Sequence, residues 1–308
     1  MEDTNMYGLD LPPPMKRRRR PVDEPPSANG SHMQHDRFWF SDGNIVLRVE
    51  QTCFKIHRNK LMYSIVFADM LELPQPQDAE NVDGCPLVAF SGDSVADWTV
   101  TLSWMYNRSA FESRSATFGI IAGALRISTK YEISDLRSWS KQQLLSRWPT
   151  NLLEMNSNAF PNAAEAIALA RQLDVPEILP AAFYALSVQR WGGGGDGGNS
   201  HHILSPEDLR RVIVGREELE QHLVAILTCP IGESFILCRE CEAVFQKWLV
   251  SRFLHSPYRS WLLRELKDIL QEPWTELSSC SFCLSTFRQV VAKFTDELLH
   301  TIPRYFRL

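Results

Sequence analysis

The chain has 308 residues, 44% of them apolar and 22% charged. That balance excludes a disordered polymer, a collagen and a disulfide miniprotein, and the length suits about two domains with buried cores. Acidic residues outnumber basic ones by 37 to 32, for a formal charge of -5, so no global positive field exists to hold a nucleic-acid backbone.

Residues 1–35 carry Pro12, Pro13, Pro14, Pro21, Pro25 and Pro26 with almost no apolar periodicity, and the expectation is a disordered tail. Within it lie Lys16, Arg17, Arg18, Arg19 and Arg20, a cationic cluster of the kind read by nuclear import receptors; its alternative is a solvated charge run. From residue 36 the character changes. Ile45, Leu47 and Val49 alternate with Val46, Arg48 and Glu50, and Phe54 and Ile56 alternate with Cys53, Lys55 and His57, which predicts a β-hairpin. The period then lengthens through Leu61, Ile65, Val66 and Met70, as in short helices that end before Pro74. Leu87 to Phe90 reads as a third strand. Asp93 or Ser94 can cap a helix bearing Val95, Trp98, Leu102 and Met105, and a helical hairpin follows, with Ile120, Ile121, Ala124 and Leu125 in one arm and Leu136, Leu144 and Leu145 in the other.

This order of elements arrives with particular residues attached. They are Asp42 before the first strand, Phe54-Lys55-Ile56-His57-Arg58 closing the second, and Leu61, Ser64, Phe67 and Met70 along the first helices. Leu102 to Tyr106, then Ser128-Thr129-Lys130-Tyr131-Glu132-Ile133 with Leu136, complete the set. In that order residues 36–148 resemble the BTB (POZ) domain, and Leu73-Pro74-Gln75-Pro76 with Asp83-Gly84-Cys85-Pro86 are similar to the expanded fungal set of that family. The resemblance implies a short sheet flanked by helices and a protein-interaction module that self-associates. It also implies recruitment of transcriptional regulators or of a cullin-type ubiquitin ligase.

Beyond Pro149 the pattern is helical, so the whole is expected to be α+β, a BTB-like domain at 36–148 followed by an all-α region at 149–308. Pro161 suits the first turn of one helix and Pro176 the start of the next. A glycine-rich loop at 192–198 comes before Ser205-Pro206-Glu207-Asp208, which has the cap, N1 proline and N3 acid of a helix start. Further helices are predicted near 216–227, 240–253, 258–271 and 282–300.

Several groups invite a chemical reading. Gly192, Gly194 and Gly197 spell GxGxxG, but they follow a helix and precede a polar run, where a dinucleotide site needs a strand before and a helix after. His201 and His202 are adjacent and lack the i,i+4 spacing of helical metal ligands. His57 reads as a structural imidazole, and Glu217, Glu218 and Glu220 as acids opening a helix. Cys238-x-x-Cys241 and Cys280-x-x-Cys283, 38 residues apart, can close a tetrahedral structural zinc site at two helix starts; buried free thiols and a redox dithiol are the other readings. Trp98, Trp104, Trp139 and Trp148 include one or two candidates for a partner surface.

Seven cysteines, with no charged-then-apolar leader, predict a reducing compartment. No apolar run approaches the span of about 18 residues that a membrane requires. The reading is therefore a non-enzymatic interaction scaffold, intracellular and nuclear or nucleocytoplasmic, with no membrane or nucleic-acid partner expected. Its partners are other proteins, a second copy through Phe38, Trp39, Phe40, Leu61, Met62 and Ile65, and an import receptor at Lys16 to Arg20. The alternative is a nuclear DNA-binding regulator using the basic tail and a zinc-stabilised C-terminal module, against which Cys280 to Leu308 offers few basic residues.

Overall fold

Strand β2 (Ile45–Val49) alternates as its sequence requires: Ile45, Leu47 and Val49 enter the main core, while Val46 points the other way into a small cluster with Cys53 and Cys85. It pairs antiparallel with β3 (Thr52–Ile56), with Leu47 opposite Phe54, across a turn in which Glu50 adopts a left-handed φ of 53°. On its other side β2 pairs parallel with β5 (Cys85–Phe90), which pairs with the two-residue β4 (Asn81–Val82). The edge is β1 (Met33–Trp39), parallel to β3, giving the order β1-β3-β2-β5-β4. The computed structural model describes residues 33–73, 80–189, 203–228, 237–256, 261–274 and 280–308. Lys16 to Arg20, the 192–198 glycines, His201, His202 and Pro74 to Pro76 lie outside the described residues. Met33 to His35 are strand, which corrects the tail boundary expected at residue 35.

The helices of the first half are α1 (Arg58–Leu61), α2 (Ile65–Glu72), α3 (Val95–Tyr106), α4 (Arg108–Glu112), α5 (Phe118–Lys130) and α6 (Ser134–Arg147). Ser94 caps α3 by accepting from the Asp97 amide at 3.1 Å. Asp93 does something else. Its buried carboxylate accepts from Trp98 Nε1 at 3.0 Å, Tyr131 Oη at 2.5 Å and Lys130 Nζ at 2.6 Å, tying the end of the sheet to α3 and to the end of α5. Ser64 caps α2 and donates to the Tyr131 carbonyl. Asp93, Ser64 and Tyr131 thus hold these elements together. Trp98, Trp104, Trp139 and Trp148 are all buried inside their own chain, which corrects the expectation that one or two of them face a partner.

The second half contains α7 (Ala163–Leu173), α8 (Leu179–Val188), α9 (Pro206–Thr228), α10 (Arg239–His255), α11 (Leu262–Gln271) and α12 (Ser281–Tyr305). Pro161 lies before α7, whose cap is Asn162 in a left-handed conformation, and Pro176 opens a 3-10 turn that leads into α8. Ser205 accepts from the Asp208 amide at 3.1 Å and donates to its carboxylate, so the predicted capping pattern forms. One continuous α9 replaces the separate helices expected from 205 and from 216. Glu217, Glu218 and Glu220 therefore sit in mid-helix rather than at a helix start. Gly215 permits this packing, because a Cβ there would fall 2.1 Å from the ring of the buried Phe306.

Candidate metal centre

In each Cys-x-x-Cys pair the first cysteine is a helix N-cap and the second is the N3 residue. Cys238 precedes Arg239 at the start of α10, and Cys280 precedes Ser281 at the start of α12. N-cap and N3 side chains meet over the open first turn, the geometry that a capping box exploits. The Cys280 sulfur accepts from the Cys283 amide at 3.5 Å, and the Cys238 amide donates to the Cys283 sulfur at 3.4 Å, so the two turns are joined.

The four sulfurs all lie within 4.8 Å of one another, and those of Cys238 and Cys283 are 3.4 Å apart. A zinc–sulfur bond of about 2.3 Å places the corners of a tetrahedron about 3.8 Å apart, so this cluster has the size of a tetrathiolate cage. Cys238 and Cys280 are exposed, Cys241 is half-buried and only Cys283 is buried. This pattern corrects the reading of all four as apolar residues facing a core.

Charge explains why sulfur suits the position. Two helix N-termini converge here, each with unsatisfied amides and the positive end of a dipole, and anionic ligands offset both. Hydrogen bonds from the Cys241 side chain and amide and from Cys283 pull the Cys238 thiol down to about 7. The Cys238 amide favours the Cys283 thiolate, yet burial and hydrogen bonds to Cys280, Cys238 and Cys241 push that thiol up to about 12. Cys241 is also raised, first by its hydrogen bond to Cys238. The Cys238 thiolate is easy to form and those of Cys241 and Cys283 are not, a cost that a dication bound by the sulfurs offsets. Beneath the cage, one turn along each helix, Phe245 and Phe287 pack with Trp248 and Trp274 in an aromatic floor.

The residues expected at an association surface divide. Phe38 and Leu61 are 2% and 0% exposed, which corrects their assignment: they fill the chain's own core and cannot anchor a partner. Trp39 and Phe40 are half-buried, Phe40 stacking on Tyr106 at 4.8 Å. Met62 and Ile65 are open to solvent. Tyr63 is exposed between them, a residue the helical periodicity did not single out because it lies in the turn between α1 and α2. His57 binds Tyr106 Oη through Nδ1 at 2.7 Å and Asp42 through Nε2 at 3.2 Å, bracing the strand ends as a structural imidazole would. None of the described helices is long and apolar enough to cross a membrane. Comparison with protein-family models gives no match to this chain, and comparison with curated proteins gives none either.

Proposed function

We propose that this chain is a non-enzymatic protein-interaction module of the BTB type whose helical C-terminal half holds one structural zinc in the four-cysteine cage. The observation that carries the interaction reading is the patch of Met62, Tyr63 and Ile65, which are 49%, 49% and 57% exposed over one short turn. Because these side chains are already about half covered, a partner that buries the remainder gains roughly 1 kcal/mol from each. The order of strands and helices around them supports the family assignment, together with the Asp93, Ser64 and Tyr131 links. The occupant of the patch is a second copy, and the assembly recruits transcriptional regulators or a cullin-type ubiquitin ligase, as the resemblance implies. The basic residues Lys16 to Arg20 direct it to the nucleus.

Four cysteines leave no open coordination position, so the zinc fastens α10 to α12 and supplies no catalysis. Light scattering on the intact chain tests association. The expected mass is twice the 35.3 kDa of one chain, returning to a single chain in the double variant Met62→Asp, Ile65→Asp. A wild-type chain that stays monomeric at high micromolar concentration overturns the homodimer.

A further inference from the structure

Away from the cysteine cage, a groove of about 290 Å³ lies where β1 meets α3, α4 and α5. Its floor is apolar, formed by Val100, Phe111, Ala116 and Ile120, and Arg37 and Arg114 stand on its rim. Both arginines are exposed, and neither makes an ion pair among the described residues. An apolar floor below two unpaired guanidinium groups fits a short segment that carries apolar side chains around a carboxylate.

Such a segment exists on this chain. Between Met1 and Gly30 the apolar side chains gather in Met6-Tyr7-Gly8-Leu9-Asp10-Leu11, with Asp10 between two leucines. The chain enters the described structure at Met33, four residues before Arg37 on the same strand, and His35 holds that strand against the groove-lining Thr99 through a 3.1 Å contact. Met33 therefore lies about 13 Å along the strand from the groove rim. The 21 residues between Leu11 and Met33 can reach about 70 Å at full extension, far beyond the distance to the groove rim, so the tether is long enough to present the segment to the groove at an effective concentration on the order of millimolar.

We propose that residues 6–11 dock into this groove within the same chain, with Leu9 and Leu11 on the apolar floor and the Asp10 carboxylate between Arg37 and Arg114. This inference is independent of the BTB reading and of the metal. The docked segment closes a loop that carries Lys16 to Arg20, so an import receptor and the groove act on one tether.

Hydrogen exchange followed by mass spectrometry on the full chain tests it. Peptides covering residues 6–11 are expected to exchange about tenfold more slowly than an unstructured chain, as a millimolar effective concentration gives a segment that binds at about 100 μM. The double variant Arg37→Glu, Arg114→Glu changes two exposed side chains and is expected to abolish the slowing, and adding Asp10→Arg to it is expected to restore at least part. Unslowed exchange at 6–11 in the wild type overturns the proposal. Slowing that survives the charge reversal overturns the groove as its seat, and failure of Asp10→Arg to rescue overturns the ion pairing. Protection that disappears on dilution assigns the segment to a second copy and overturns docking within the chain.

Discussion

Asp93 shows how a single carboxylate can hold an αβ block together. Its two oxygens accept from an indole, a phenol and an ammonium carried by two different helices, and burial followed by the Asp93 hydrogen bond drives the Tyr131 hydroxyl far above its ordinary pKa. Asp93→Ala leaves the Trp98 and Tyr131 donors buried without an acceptor and is expected to cost about 3–5 kcal/mol, read as a lower urea midpoint at unchanged slope. Gly215→Ala is the matching test in the other half. The new methyl gains up to about 1 kcal/mol of helix propensity but collides with Phe306. A net loss of about 1–3 kcal/mol is expected in the same titration. In the sequence Asp93 reads only as an alternative cap to Ser94, because two of its three partners lie 37 and 38 residues away. The space that Gly215 leaves is not legible there either, since nothing local shows that an aromatic ring from the far terminus needs it.

Helix starts are the elements on which the cage is built. The Cys-x-x-Cys spacing and its position at two helix starts are legible in the sequence, because N-cap and N3 lie within one turn. What the sequence does not show is that the 38 residues between the pairs turn back through α10 and α11 so that both starts meet. That return depends on packing such as Phe245 near Trp274 and on the ion pair from Arg252 to the buried Glu265 at 2.5 Å. Zinc must displace every thiol proton, including that of Cys283, so its affinity is expected to fall as the solution is acidified. Competition with a chromophoric chelator at about pH 8, 7 and 6 should give a weaker site at each step, starting from about one zinc per chain. Cys280→Ser should lower the affinity at all three. A well-folded chain that takes up no zinc at the highest pH defeats the metal assignment.

At the scale of the whole molecule, one cluster of buried apolar side chains among the described residues reaches from Phe38 to Phe306. The sequence suggests a boundary after Trp148, because the mixed strand-and-helix pattern gives way to a wholly helical one beyond Pro149. Yet the Trp148 indole donates to the Ala159 carbonyl at 2.9 Å, the Arg137 guanidinium donates to the Leu173 carbonyl at 3.3 Å, and Lys141 pairs with Glu177 at 2.8 Å. Alternation and turn residues reveal strands and helices, whereas contacts this distant leave no periodic trace. With so many links across the join, the 33–148 and 149–308 portions are expected to unfold together. Far-ultraviolet circular dichroism and tryptophan fluorescence should give coincident denaturant transitions, and two separated midpoints would refute shared cooperativity.

Helix α12 begins at the cysteine cage, and Phe306, the residue just after it, seats against Gly215. It is a rod of 25 residues, about 37 Å long, pinned at both ends. Its length is consequently a fitted dimension: one added residue would advance the far end by about 1.5 Å and swing it through about 100°, so that no single placement could satisfy both pins.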